Sequence, residues 1–333
     1  FFSLFYKNKF NFVDLLKFFK MLNRRQLRLK VMEVVYAYDK SIEKNIAHQL
    51  KYFLKSNENF YRLYISILSI FNKLHTYSRE RNFKNNKKFL KDDSDIFYNK
   101  FSKNLFLKKM SSDKLLLQKI DLLKINYWND HPEHIISLTK KIEKSDVFHS
   151  YIKKNENSFD NDKQFVINIF KKIIASDNKL YEFFEETQIS WVNDLPLVNS
   201  LVLNTLKKNQ KRSRKSTLIT KIYKNKEDSE FGINLIKKVI LNKDMLKEEI
   251  GKIASNWDSE RIAQIDLILL QMCLTEFLFF DSIPVKVSIN EYLELAKEYS
   301  SPKSNVFING IMDTISKQFI LEGRIKKNKR GLQ

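Results

Sequence analysis

The sequence predicts an all-α protein, and three observations carry that expectation. Only five glycines and four prolines punctuate 333 residues, which leaves little material for hairpins, strained turns or phosphate-cradling loops. Apolar residues recur at the helical spacing through the long segments. Polar runs, rather than turn motifs, separate those segments. With 43% hydrophobic and 13% aromatic residues, the chain has ample material for a packed core and is not disordered throughout.

The first twenty residues, Phe1 to Lys20, are rich in Phe and Leu. Lys7, Lys9, Asp14 and Lys17 interrupt them before a membrane span or signal core forms. Met21 is the first methionine, and a helical pattern begins just after it. Met21 is therefore read as the initiator, and residues 1–20 as an upstream extension without function.

Lys+Arg 60 against Asp+Glu 39 gives a net charge of +21, which points to polyanionic partners such as nucleic acid or an anionic membrane surface. Lys, Asn, Ile, Phe and Tyr are all heavily used, as drift in an AT-rich genome would produce, so much of the lysine excess also reads as solvated background. Arginine is used sparingly and is the better pointer to a site. A single cysteine, Cys273, excludes an intramolecular disulfide and any multi-cysteine metal site. A reducing, cytoplasmic setting is the simplest expectation.

Asn23 is the expected N-cap of a first helix whose core face is Leu27, Val31, Val34, Val35 and Tyr38. Arg24, Arg25 and Arg28 fall on one side of its first two turns, where guanidinium groups can fork onto phosphates or stack on bases. Arginines at a helix start oppose the macrodipole, so a bound anion would compensate them. Nucleic acid is the favoured reading, an ordinary solvated face the other.

From Ile42 to Arg81 the pattern stays helical, with Leu63, Ile67, Ile70 and Leu74 on one face, and Asn82 to Asp95 reads as a polar connection. A second break, Lys207 to Ser216, holds Lys207, Lys208, Lys211, Arg212, Arg214 and Lys215. A solvated basic loop is the stronger reading there and an RNA contact the weaker.

The middle of the chain contains a repeat. Asp162 to Leu206 matches Asp228 to Met272 at an offset of 66 without a gap, pairing Phe165 with Phe231, Leu180 with Leu246, Trp191 with Trp257, Leu201 with Leu267 and Leu203 with Leu269. Each copy reads as a helix, a turn, a shorter helix, then a tryptophan before another long helix. A fainter copy places Trp128 at the same point, and all three tryptophans are expected to pack at helix junctions.

After Trp257, Asp258 is the expected cap of a helix carrying Ile262, Ile265, Leu269, Met272 and Cys273 on one side and Leu267, Leu270, Leu274 and Phe277 on another. A helix this apolar belongs at the centre of a domain. Asp266 and Glu276 interrupt it, and with no histidine or third acid beside them they read as rim or hydrogen-bonded structural acids. Cys273 reads as a small buried hydrophobe. Pro284 marks a break before a helix with Val287, Ile289, Leu293, Leu295 and Ala296. Ser301 to Ser304 turns into a last helix with Phe307, Ile308, Ile311, Ile315 and Phe319 on its apolar face. Gly310 weakens that helix unless another backbone packs closely there.

Leu22-Asn23-Arg24-Arg25-Gln26-Leu27-Arg28-Leu29-Lys30-Val31 through Tyr36-Ala37-Tyr38, with Asn256-Trp257 to Glu276, Ile283 to Lys297 and Phe307 to Asp313, resemble the NusB family of bacterial transcription antitermination factors, in the enlarged form of Bacteroidetes. The resemblance implies NusB-like helical bundles with an enlarged helical middle segment. Residues 21–50 with 228–322 would be the RNA-binding domain, 51–227 a helical insertion partly built from a repeat of the 228–272 unit, and 323–333 a basic tail. It further implies a non-catalytic protein without cofactor or membrane association. Its partners would be boxA RNA, the ribosomal protein NusE and an RNA polymerase antitermination complex.

By the same resemblance Arg24, Arg25, Arg28, Tyr36, Asp266 and Phe307 are RNA-binding. Lys303 stands at the partner-facing turn, where well-known members carry aspartate, and Gln26 stands where a further arginine is common. Arginines would anchor phosphates, Tyr36 and Phe307 would stack on bases, and Asp266 would accept from a base amine. Core packing is the other reading of both aromatics. Two alternatives come from other classes. An RNA methyltransferase requires a Gly-rich cofactor loop that the scattered glycines do not supply. A protein-binding helical scaffold with a degenerate RNA site is the second, and the arginines retained in an arginine-poor chain argue against it.

Overall fold

A computed structural model describes residues 22–85, 93–154, 158–211, 218–254 and 262–332. Among these the regular structure is helical throughout: α1 (Arg24–Lys40), α2 (Ile46–Asn85), α3 (Asp93–Ser102), α4 (Leu105–Ser111), α5 (Lys114–Leu122), α6 (Tyr127–Asp130), α7 (Pro132–Glu143), α8 (Asp146–Lys153), α9 (Phe159–Ile169), α10 (Asn178–Thr187), α11 (Trp191–Lys208), α12 (Lys226–Leu241), α13 (Lys243–Ala254), α14 (Gln264–Phe279), α15 (Val285–Tyr299) and α16 (Pro302–Leu321). A π-helical turn, Phe170–Ile174, continues α9. The all-α expectation holds.

The chain divides into two compact units. One is formed by the described residues up to Ser56 together with those from Ile222 onward, and the other by Asn57–Lys221. The division falls within α2.

In the first unit α14 is central, touching α1, α12, α13, α15 and α16. Its residues from Ile268 to Phe277 are all buried, as its all-round apolar sequence requires. Helix starts follow local chemistry. Asn23 caps α1 with a full capping box, because its side chain accepts from Gln26 N–H at 3.0 Å while Gln26 Oε1 accepts from Asn23 N–H at 2.7 Å. Gln26 at this position thus closes the cap. Asn225 caps α12 and Ser301 caps α16 through the side-chain oxygen alone, which accepts from Asp228 N–H and Ser304 N–H. At the far end of α16, Gly323 takes φ +66°, the left-handed conformation that glycine adopts without a Cβ clash. Gly310 is accommodated within α16 without interrupting it.

In the second unit α9 packs on α4, α8 and α11, and α10 packs on α11. Leu63, Ile67, Ile70 and Leu74 of α2 are buried, as the periodicity predicts. Trp128 donates to Ser69 Oγ at 2.7 Å, and Trp191 to the carbonyl of Asn59 at 2.9 Å. Both rings are buried at helix starts. Trp257, the third tryptophan of the series, lies outside the described residues, as do Asn256, Asp258, Met21 and residues 1–20.

The two copies of the repeat become α9–α10–α11 and α12–α13–α14, in the same order. Phe165 and Phe231, Leu180 and Leu246, and Leu203 and Leu269 are buried pair by pair, and Leu201 and Leu267 are both half-buried. Three boundaries differ from expectation. The second helix starts at Ile46, leaving Ile42 fully exposed, and runs to Asn85. The described part of α14 starts at Gln264, so Ile262 precedes the helix. Tyr38 is half-buried, and Arg28, Lys30 and Met32 share the buried face of α1 with its apolar residues.

Candidate nucleic-acid interface

The first two turns of α1 hold the arginine group, and each arginine meets carboxylates. Arg24 donates from Nε to Asp228 at 3.0 Å and from Nη2 to Glu227, both in the first turn of α12. Arg25 forks onto Glu291 of α15, with Nε and Nη2 donating at 3.0 and 2.8 Å, and its Nη1 lies 3.9 Å from Glu294. The hydrogen bonds to Glu291 raise the Arg25 pKa. Arg25 remains 46% exposed.

Arg28 belongs to the interior. It is 2% exposed and donates from Nε and Nη2 to Glu276 of α14 at 2.7 and 2.8 Å. Ser288 Oγ and Tyr292 OH each donate to the same carboxylate at 2.7 Å. Burial alone would raise the Glu276 pKa, but the Arg28 charge and these hydrogen bonds outweigh it and hold the carboxyl below its usual range. The placement of all three guanidinium groups on one solvent-facing side is therefore corrected. Arg28 turns inward because α14 and α15 supply a complete set of acceptors and donors beneath the surface. Glu276 is the hydrogen-bonded structural acid expected of it.

Tyr36 follows Arg25 by eleven residues, about three turns, so the two share one stripe of α1. The tyrosine is 40% exposed, and Lys40 Nζ lies 5.7 Å from its ring centre. Asp266, in the first turn of α14, is 3% exposed and accepts from Ser300 Oγ at the C-cap of α15. A direct contact between Asp266 and a base is not what this burial favours; the carboxylate instead joins α14 to the α15–α16 turn. That turn leads into Lys303, which is exposed, and Phe307, which is half-buried. Glu294 precedes Ser300 by six residues on α15, so Arg25 reaches α15 about 9 Å along its axis from that turn.

The structure thus forms an arginine group and a turn group, Asp266, Lys303 and Phe307, linked by α15. Sequence reasoning missed the carboxylates that meet the arginines. The adjacent acids Glu227-Asp228 and the helical spacing of Glu291 and Glu294 were the available signals. Chemically, the exposed Arg25–Glu291 pair stabilises the protein by about 1 kcal/mol or less, so a phosphate oxygen can replace the carboxylate at little cost. The Arg28–Glu276 pair has no such access.

Among the described residues there is no cluster of histidine, cysteine and acidic side chains suited to a metal ion, and no helix is long and apolar enough to cross a membrane.

Residues 197–317 match the model of the NusB family. Three proteins bearing the name transcription antitermination protein NusB are similar. That of Salinibacter ruber is 42% identical over 103 residues, 31% of this chain and 64% of the relative. That of Clostridium kluyveri is 43% identical over 100 residues, 30% of this chain and 62% of the relative. That of Chloroherpeton thalassium is 41% identical over 103 residues, 31% of this chain and 49% of the relative. The chain therefore spans less than two thirds of the length of these curated relatives. No solved structure gives a significant match. Over residues 197–317, at moderate identity, the chain is similar to the NusB family.

Proposed function

We propose that this protein is an RNA-binding transcription antitermination factor, which binds boxA-type nascent RNA with NusE and supports antitermination by RNA polymerase, especially on ribosomal RNA operons. The observation that carries the reading is the homology of residues 197–317 to proteins named for transcription antitermination. The packing of α1 against α12 and α14 supports it, since α1 lies outside the matched segment yet folds onto it. The protein acts in the cytoplasm, without a cofactor, as the enlarged Bacteroidetes-type form. Residues 21–50 with 228–322 make the RNA-binding domain, 51–227 are the insertion, and 323–333 are the basic tail.

In this reading Arg24 and Arg25 exchange carboxylate for phosphate, while Tyr36 and Phe307 give stacking faces to unpaired bases. Asp266 shapes the turn that presents Phe307 and Lys303, and Lys303 meets NusE. Arg28 acts from within, fixing the first turns of α1 to α14. The test is RNA binding by the full chain with and without NusE, using a boxA-type RNA and a scrambled control. Tighter, boxA-selective binding in the presence of NusE is the expected result.

One observation favours a second reading, a helical protein-binding scaffold with a degenerate RNA site: all three arginines are already engaged by carboxylates. NusE retention that is indifferent to RNA, with no RNA bound at low salt, would select it.

A further inference from the structure

A cluster of ammonium groups in the second unit lies outside the surface described above. Helices α4 and α9 repeat a relationship that α1 and α12 make in the first unit. Each leading helix opens on an asparagine cap, Asn23 accepting from Gln26 N–H and Asn104 from Leu107 N–H. The residue after each cap bonds an aspartate in the first turn of the helix it packs against, α12 or α9. Arg24 Nε donates to Asp228 at 3.0 Å, and Leu105 N–H donates to Asp162 at 2.7 Å. Five residues after each cap stands a base, Arg28 or Lys109, whose acceptors are Glu276 and Gln210. Both the two aspartates and the two acceptors are 66 residues apart, the offset of the sequence repeat.

The chemistry at the last point differs between the units. Arg28 meets a carboxylate, whereas Lys109 Nζ donates to the main-chain carbonyl of Gln210. Lys163 Nζ joins it at the end of α11, donating to the carbonyls of Lys207 at 2.5 Å and Asn209 at 2.7 Å. Carbonyl oxygens carry no formal charge, and a helix C-terminus offers only about half a negative charge. Two ammonium groups therefore converge there on main-chain acceptors without formal charge, and Lys109 Nζ also lies 5.7 Å from the ring centre of Phe159. Burial lowers the Lys109 pKa; Asp113 opposes that shift and the neighbouring Lys163 adds to it. Lys108, Lys207, Lys208 and Lys211 are exposed around the same helix ends.

We propose that Lys109 and Lys163, with the exposed lysines around them, form a second RNA-binding site that grips the sugar-phosphate backbone without reading bases. Lysine ammoniums are compact point charges suited to phosphate rather than to bidentate base recognition. A single strand presents successive phosphates to a row of such charges. That the polyanion is RNA rests on the function proposed above; the convergence of ammonium groups does not.

The test measures binding of a single-stranded RNA by the full chain across a salt series, with melting temperature followed for every variant. The chains compared are the wild type, Lys109→Gln/Lys163→Gln, Lys109→Arg/Lys163→Arg and Arg25→Ala/Tyr36→Ala. The glutamine variant is expected to weaken binding and to make the plot of log K against log salt shallower by about 0.7 for each lysine removed. The arginine variant is expected to keep the wild-type slope. A folded glutamine variant with wild-type affinity and slope overturns the proposal, and so does an arginine variant that loses as much as the glutamine one. If Arg25→Ala/Tyr36→Ala is without effect while the lysine variant weakens binding, the second site stands and the α1 surface falls. If only Arg25→Ala/Tyr36→Ala weakens binding, the second site alone falls. If the wild-type chain binds no RNA, both fall.

Discussion

Arg28 and Glu276, 248 residues apart in sequence, form a two-point ion pair beneath the surface of the first unit, with N–O distances of 2.7 and 2.8 Å. It fixes the N-terminal turns of α1 to the central helix. Removing one partner strands the other charge, and such a loss typically costs about 3–5 kcal/mol. Glu276→Gln and Arg28→Ala are each expected to destabilise the protein on that scale in urea unfolding. Replacing both by apolar residues of similar volume should cost less than either single change. RNA binding by Arg28→Ala should then weaken through the loosened attachment of α1, in step with the stability lost in the unfolding curves.

The same pair fixes a pH dependence. Its Glu276 carboxyl is held below the usual 4.5 in the folded protein, so the stability it contributes is fully present above that value. That contribution is lost as the pH falls through the lowered folded value. Wild-type and Glu276→Gln stabilities should therefore differ most at neutral pH and converge in acid, as denaturant unfolding at a series of pH values will report.

Gly232 of α12 faces the ring of Phe53. A Cβ added at Gly232 would lie closest to Phe53 Cζ and 2.9 Å from Cε1, and the ring is completely buried. Alanine in a helix interior gains about 1 kcal/mol over glycine, while overpacking a core costs about 1–3 kcal/mol. Because the phenylalanine has no solvent to move into, Gly232→Ala is expected to destabilise the protein by about 1–2 kcal/mol. A lower thermal midpoint with unchanged helix content is the observable. A midpoint above wild type would contradict the packing described here.

Arg25 and Tyr36 lie on one exposed stripe of α1 and contribute little to stability there. Arg25→Ala should change stability by under about 1 kcal/mol yet reduce the salt slope of RNA binding by about 0.7. Tyr36→Ala should weaken RNA binding by about 1–3 kcal/mol through lost stacking. Fluorescence anisotropy over a salt series separates the two effects.

Asp266 is expected to act through the fold. Losing its part-buried hydrogen bond with Ser300 should cost about 1–3 kcal/mol. Asp266→Ala should raise hydrogen exchange at the α15–α16 turn while the salt slope of RNA binding is kept. An unchanged turn with altered base preference would instead favour a direct contact.

The helical class was legible because periodic apolar residues and side-chain caps are local signals. Asn23 and the face Leu63, Ile67, Ile70 and Leu74 needed no tertiary information, and the buried length of α14 followed from its all-round apolarity. The candidate site was legible only in part. Spacing puts Arg24, Arg25 and Arg28 near one another on a helix, but exposure is decided by what packs over the helix. Glu276 reaches Arg28 from 248 residues away, and no local pattern encodes that meeting. Asp266 reads in sequence as a rim or hydrogen-bonded acid, but no local pattern says that α15 delivers Ser300 as its partner. Gln26 was legible as a departure from the family pattern, and its place in the capping box emerged only with the geometry of the turn.

The most direct test of the central claim is the affinity of the full chain for boxA-type RNA, measured with and without NusE over a salt series. The account predicts selective binding that tightens with NusE and weakens steeply with salt. NusE binding that is the same with and without RNA, together with no detectable RNA binding at low salt, would contradict it.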